Sequence, residues 1–568
     1  MRARDGVPVS AGLRIVVWLA LAVMWSAAWD SRPLASPDEG RYAEISREMA
    51  ASGDFVTPRL NGIKYFEKPP LQYWATAAAF RVGGLNERSA RLWTVACGFL
   101  SLLVCSWLAR LAGCAPAASL LAPVVLAGAL YPCLLGHINT LDSGVSLFMG
   151  ATVACYLRAR VETIASDSRR EGSARRWMML AGVCAGLAVL SKGLIGIVLP
   201  GLGLVLYTLL SRELSAWRQL HLGSALLAML IVAAPWFVAC SLRNPEFAHF
   251  FFIHEHFERF TSTVHRRVEP FWYFLPLLLV GLLPWTLTLP GALLRGFAFR
   301  IANGAGFRPL RFLLAYGLGI VAFFSVSGSK LPSYVLPACA PLAVLLAHQL
   351  CSATPFPRWS LAAGAAGLGG LLVSASLLFG VPDLAGQLGV NLDLDPDMVA
   401  PYAALGPWLG AGGAGLLSGA VLLLVLPESR RIGACLSLGL LGLFAASCGL
   451  HGARALAPFN STGPWVASWA QRPTADSRLF SVGTYDQTLD FYLQRTVTLV
   501  DFSDELDFGL QQEPGLAIQD LSRFRATWGH QAGDHAIMEP GRFESLRASG
   551  LAMQLVARDS RHVLVSAP

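Results

Sequence analysis

Three short stretches of this chain crowd ionisable side chains against apolar sequence, and they set the chemistry to be explained. The first, SPDEGRY at residues 36–42, has a capping box: Ser36 as the cap, Pro37 at the first helical position and Glu39 able to reach back. A helix is expected from there to about Ser52, with Asp38, Arg41, Tyr42, Ile45 and Met49 on one face. Ile45 and Met49 on that stripe imply a helix lying along a membrane surface or beneath other helices. Asp38 is a candidate catalytic acid; the plain alternative is that an acid in a first turn answers only the helix dipole. The second stretch, YFEKPPLQYW at residues 65–74, holds Lys68 extended because a proline follows it, and lets Pro70 open another helix. Glu67 beside Lys68 among aromatics suits an anion or a metal, although an interfacial aromatic belt with an incidental ion pair has the same composition. In the third, FFIHEHFERFTSTVHRR at residues 251–267, His254 and His256 flank Glu255, and Arg259, His265, Arg266 and Arg267 follow. The phenylalanines favour a helix, on which residues two apart point about 200° from each other, so one ion would not take both imidazoles. Histidines that merely titrate at a surface are the alternative there. Asp142, Lys192 and Lys330 complete the set at the ends of apolar segments, where an ionisable group is a functional candidate or, for a lysine, snorkels to the interface.

What must position these groups is a membrane fold. Of 568 residues, 54% are hydrophobic and only 14% charged, against about 25% charged in ordinary soluble domains. Thirteen spans are expected, at about residues 12–29, 91–111, 116–136, 141–158, 177–190, 193–210, 222–241, 272–291, 311–326, 333–350, 359–380, 403–426 and 432–452. The first follows Arg2 and Arg4 like a signal sequence, but no small-x-small site closes it, so it reads as a retained anchor. With the N-terminus in the cytoplasm, the connectors on that side carry Arg110, Arg158, Arg160, Arg169, Arg170, Arg175, Arg176, Arg212 and Arg218. Arg295, Arg300, Arg308, Arg311, Arg358, Arg430 and Arg431 follow them on the same side, as the positive-inside rule asks. The acidic 381–398 loop falls on the other face, together with the long loops 30–90 and 242–271. The net charge of +8 therefore belongs to connectors and does not indicate nucleic acid. Eleven cysteines, none after Cys448, lie scattered in apolar segments or short connectors; they read as packing residues rather than a disulfide framework or zinc module. An odd span count places the tail outside the cytoplasm. There, short β-branched runs alternate with helix-like stretches, and LAMQLVARDSRHVLVSAP reads as two strands around a polar turn. The expected architecture is a membrane all-α bundle at residues 1–452 and a small soluble α/β domain at 453–568.

In this order and topology, SPDEGRYAEISREM, YFEKPPLQYW, INTLDS, LSKGLIG and FFIHEHFERF…PFWYFLP resemble the bacterial integral-membrane glycosyltransferases of the C-type (GT-C) fold. They look most like the 4-amino-4-deoxy-L-arabinose lipid A transferases, relatives of the protein O-mannosyltransferases. The resemblance covers residues 1 to about 350, and the span count and soluble tail agree with it. It implies a multi-pass enzyme of the Gram-negative inner membrane, with its active site and tail domain in the periplasm. That enzyme would move the amino sugar from undecaprenyl phosphate to lipid A phosphates, lowering surface negative charge and conferring resistance to polymyxin and other cationic peptides. The resemblance implies Asp38 as the catalytic acid and Asp142 as the second acid. Lys68, Arg259, Tyr334 and Lys192 would stand at the donor phosphate, and Arg41, Tyr42 and Tyr65 at the substrate. It also implies a divalent metal, zinc, on Glu67 with His254 (preferred on spacing) or His256, and no nucleotide cofactor. A monomer is favoured. Two rivals remain: a sibling transferase for another sugar or a protein acceptor, and a flippase for a lipid-linked sugar. Transporters often show internal repeats and broken mid-membrane helices; this chain shows no repeat, and its informative charges cluster at one face, which favours the transferase.

Overall fold

The computed structural model describes residues 9–164, 168–217, 220–258, 269–298, 306–352, 357–380, 396–470, 472–474, 476–531 and 533–568. The chain divides into two compact units. One comprises Met1–Ser31, Arg91–Asn391 and Leu405–Gly452; the other comprises Arg32–Ala90, Leu392–Ala404 and Ala453–Pro568.

In the first unit every expected span is helical, though not always as one piece. Ala11–Ala27, Glu87–Leu111, Asp142–Ile164, Ser168–Lys192, Ile195–Ser211, Leu222–Arg243, Pro309–Ser325, Leu336–Leu350, Arg358–Gly380, Pro396–Val425 and Arg431–Gly452 are continuous. The segment expected at 116–136 is two helices, Pro116–Ala127 and Leu130–Leu135. The one expected at 272–291 is bent by 111° between Phe274–Gly281 and Thr286–Ala298; Pro284 lies in the break and has no N–H with which to continue the first helix. By length and composition seven of the described helices can cross a bilayer, or eight with the bent pair counted as one, and four further apolar helices are shorter. Aromatic side chains fill the interior: Trp285, Tyr207, Tyr316, Phe274 and Phe312 are fully buried. Leu226, Leu227, Leu230 and Ile231 of one span are exposed instead, as side chains that meet lipid should be. This is a multi-pass membrane protein.

The second unit contains a hairpin of β1 (Arg59–Leu60) and β2 (Ile63–Lys64). Its turn is Asn61-Gly62, both at positive φ, the dipeptide that the tightest hairpin turns select. The tail forms a six-stranded sheet of β3 (Leu479–Val482), β4 (Thr498–Val500), β5 (Ala517–Ile518), β6 (His535–Met538), β7 (Gln554–Arg558) and β8 (Val563–Ser566). The order is β5-β4-β3-β6-β8-β7, parallel through β6 and antiparallel beyond it. β7 and β8 are the two strands expected around a polar turn, and Asp559 Oδ1 holds that turn by accepting from the backbone N–H groups of Arg561 and His562. Phe480, Val482, Val500, Met538 and Val565 pack with Phe524, Trp528 and Phe543 as the core of this α/β domain.

The helix that opens the first chemical stretch, Asp38–Ser52, lies against the short helix Gln487–Leu493 of the tail. Gly40 makes the approach possible: a Cβ there would stand 2.6 Å from the Gln487 carbonyl carbon. That contact overrides the expected capping box. Ser36 Oγ donates to Gln487 Oε1 at 2.9 Å instead of capping. Glu39 reaches back one residue further than the box requires, accepting from the Ala35 N–H at 3.0 Å and from Arg32.

Candidate active site

Asp38 begins its helix with 49% of its side chain accessible, whereas Arg41, one turn on, retains only 10%. Arg41 Nη1 donates to Asp38 Oδ1 at 2.8 Å, and Nη2 pairs with Glu505 of the tail domain. Glu505 also accepts from Gln487 Nε2 at 2.6 Å. The bonds from Ser36 through Gln487 and Glu505 to Arg41 and Asp38 thus encircle the helix start. Tyr42 lies beneath the guanidinium, 5.9 Å from Cζ to ring centroid, and its ring is 6.1 Å from that of Tyr73. Burial by itself would lower the Arg41 pKa, but Tyr65, Glu505, Tyr42 and Asp38 around it raise it well above the usual value. Burial pushes the phenols of Tyr42, Tyr65 and Tyr73 up as well, so they remain O–H donors at neutral pH. Arg41 Nε and the hydroxyls of Tyr65 and Tyr73 are buried with no hydrogen-bond partner among the described residues. An unsatisfied buried polar group costs about 1–3 kcal/mol, and three donors in one cluster suit a ligand rich in acceptor oxygens.

Glu67 and Lys68 occupy the expected non-helical stretch, followed by the helix Leu71–Gly83. Lys68 Nζ donates to the Glu67 carbonyl at 2.9 Å and lies 3.6 Å from its carboxylate; both side chains are largely shielded. Asp38, Arg41, Tyr42, Tyr65, Glu67 and Lys68 therefore all belong to the second unit.

The first unit holds the other group. Asp142 starts the helix Asp142–Ile164 and Lys192 ends Ser168–Lys192. The two are ion-paired with 8% and 9% of their side chains accessible, and Lys192 Nζ stands 4.9 Å from the Tyr334 ring centroid. A lysine sealed under a ring against a carboxylate is not snorkelling; partner and ring offset its desolvation. Lys330 is buried too, donating to the Ser327 carbonyl at 2.7 Å. His254 lies in a π-helical stretch, Phe250–Glu258, stacked on Phe250 with centroids 5.2 Å apart. The expected helix is thus of the wider kind, which is frequent at functional segments. Arg259, the other donor-phosphate candidate, lies outside the described residues, as do the His256 side chain, His265, Arg266, Arg267 and most of the acidic 381–398 loop.

No three His, Cys, Asp or Glu side chains among the described residues gather as a metal ion would require, and the Glu67 carboxylate already faces an ammonium. The described residues do not by themselves make a metal centre, and no chemical step below passes through one. Glu505, Gln487 and Tyr73 are the members of the Asp38 cluster that the sequence did not announce. Tyr73 stood in a quoted aromatic stretch, but nothing local marks Glu505 or Gln487, which arrive from more than 400 residues away through the approach at Gly40.

Residues 466–567 match the aminoarabinose transferase C-terminal domain, and residues 16–251 match the dolichyl-phosphate-mannose-protein mannosyltransferases. The chain is similar to the undecaprenyl phosphate-alpha-4-amino-4-deoxy-L-arabinose arabinosyl transferases of Aeromonas hydrophila, 36% identical over 319 residues, and Aeromonas salmonicida, 38% identical over 328 residues. Each alignment covers 56% of this chain and 56% of the relative, so the chain spans about half the length of the curated relatives it matches. Among solved structures the likeness runs the full length. The crystal structure of ArnT from Cupriavidus metallidurans bound to undecaprenyl phosphate is 33% identical with a TM-score of 0.88, covering 99% of this chain and 100% of that one. Its apo state gives 32% and 0.83 at the same coverage.

Proposed function

Since the chain belongs to the GT-C family of bacterial 4-amino-4-deoxy-L-arabinose transferases, we propose that it moves this amino sugar from undecaprenyl phosphate to the phosphate groups of lipid A. The observation that carries the reading is the end-to-end likeness to a protein solved with undecaprenyl phosphate bound. The donor-rich cluster around Arg41 supports it from the side of chemistry. The enzyme would act in the inner membrane of a Gram-negative cell, with both catalytic loops and the tail domain facing the periplasm. Modified lipid A carries less negative charge, and resistance to polymyxin and similar peptides would follow.

In this reaction an acceptor phosphate oxygen forms a bond to the anomeric carbon as the bond from that carbon to the carrier phosphate breaks. The electron pair of the breaking bond stays with the carrier phosphate. Charge therefore grows on the leaving oxygen, and positioned cations stabilise it more in the transition state than in the ground state. Lys68, Arg259 and Lys192 with Tyr334 are proposed for that role. An acceptor phosphate monoester, with a second pKa of roughly 6, is already ionised at neutral pH and has no proton for Asp38 to remove. Asp38 is assigned to orienting the sugar's ammonium and the acceptor, held by Arg41, while Tyr42 and Tyr65 line the sugar; Asp142 keeps Lys192 in place. A metal on Glu67 with His254 or His256 is a separate proposal, rejected if purified protein holds no divalent metal and turnover is indifferent to chelator.

Mass spectrometry of lipid A from cells with and without the protein tests the main reading. One added amino-pentose per modified phosphate is expected. Unmodified lipid A in cells that make the donor and the folded protein would overturn it.

A further inference from the structure

The second unit contains a cavity of about 520 Å³ apart from the Asp38 cluster, lined by Arg454, Arg472, Glu87, Tyr492 and small apolar residues including Pro33 and Val466. Along the chain its charged lining residues adjoin helices of membrane length. Arg454 comes two residues after the last span, Arg431–Gly452, and Glu87 is the first residue of the span Glu87–Leu111. Both thus fall at the ends of apolar helices, and the end of a spanning helix is where lipid headgroups lie.

The charges there are unequal. Arg454 and Arg472 are exposed, and neither has an ion-pair partner among the described residues, whereas Glu87 accepts from Tyr492 OH at 3.1 Å. Two guanidinium groups over an apolar floor suit a phosphate carried on a hydrophobic body, because the guanidinium fork matches phosphate oxygens in pairs. The wall of the cavity also leads toward Asp38: the Leu34 N–H donates to Tyr492 OH at 2.8 Å and the Ser36 N–H donates to the Asn460 carbonyl at 2.7 Å.

We infer that this cavity receives the phosphate-bearing headgroup of a membrane lipid. That chemistry has two sources, a glycerophospholipid of the bilayer or the phosphorylated acceptor lipid, and binding distinguishes them without any turnover. Full-length, delipidated protein in detergent is titrated with short-chain phosphatidylglycerol and, separately, with lipid A. The same titrations are run on the Arg454→Ala/Arg472→Ala pair and on the corresponding Arg→Lys pair. Both arginines are exposed, so the variants should melt like wild type. The expected result is affinity about tenfold or more weaker in the alanine pair, with the lysine pair between. Loss for lipid A alone names the acceptor as the occupant; loss for phosphatidylglycerol names the bilayer lipid. Equal affinities in wild type and alanine pair, or no binding of either lipid by wild type, overturns the inference. Because no transfer is measured, failure here and failure of the proposed reaction are told apart.

Discussion

At the scale of single residues, Asp38 and Glu505 divide the work of one site. Asp38 is half accessible, so Asp38→Asn should leave the fold intact, with the amide oxygen still able to accept from Arg41. If the carboxylate orients the reacting groups, turnover should fall by about 10²-fold or more, while the apparent melting temperature stays within about a degree or two. Near-normal turnover in the folded variant would reduce Asp38 to a helix-end charge. Glu505 acts at one remove, through Arg41. Glu505→Ala leaves a buried guanidinium without one of its two carboxylates, a change that costs about 3–5 kcal/mol when a buried pair loses a member. Glu505→Gln keeps one acceptor oxygen, enough for either Arg41 or Gln487 but not for both, and removes the charge. Turnover is expected to fall for both, more for the alanine variant, with donor KM changed less than kcat. Equal turnover in wild type and both variants would detach the tail domain from the chemistry. Asp38, Arg41, Tyr42 and Lys68 were legible because their settings are local: a first turn, a helical stripe, a residue before proline. Glu505 was not, since its partner is created by folding.

At the scale of elements, the same helix that positions Asp38 buries acids further along. Glu44 is fully buried and held by Arg47 through two bonds of 2.7 and 2.6 Å. Glu48 accepts from the Gly62 N–H at 3.0 Å, and Asp490 of the Gln487–Leu493 helix accepts from Tyr485 OH at 2.9 Å. Three carboxylates thus share one arginine. Burial, and next the charge of Glu44, push Glu48 up to about 8; burial and then Glu44 raise Asp490 as well. A carboxyl whose folded pKa exceeds its unfolded value contributes stability that is complete below the unfolded value and lost as pH rises through the folded one. The apparent melting temperature of the full protein should therefore drop between about pH 5 and pH 8, by a few degrees if the effect is on the order of 1–2 kcal/mol. Glu48→Gln should flatten that slope and raise stability at the alkaline end. A wild-type profile that rises with pH over this interval would contradict the assignment. Element by element, the helices were the readable part, because apolar runs of membrane length announce themselves. The 111° break and the lost capping box were not, since the first turns on Pro284 inside an otherwise apolar run and the second on Gln487, which only folding brings to Ser36.

At the scale of the whole molecule, the proposed orientation rests on the thirteen expected spans and on the basic set of alternate connectors. On that proposal an odd number of crossings would put the tail domain opposite the N-terminus, and the arginine-rich connectors would put the N-terminus inside. The cysteine distribution makes this testable. All eleven cysteines precede residue 449; nine are buried and Cys184 and Cys351 partly so, leaving the tail without a thiol. Ser545, exposed on the helix Pro540–Ala548, can take one without disturbing the sheet. Ser545→Cys protein in intact spheroplasts should react with a membrane-impermeant maleimide as fully as it does after lysis, against a wild-type background close to zero. Labelling only after lysis would place the tail in the cytoplasm. It would also move the Asp38 cluster, which is hydrogen-bonded to that tail through Gln487 and Glu505, away from any acceptor on the far side of the membrane.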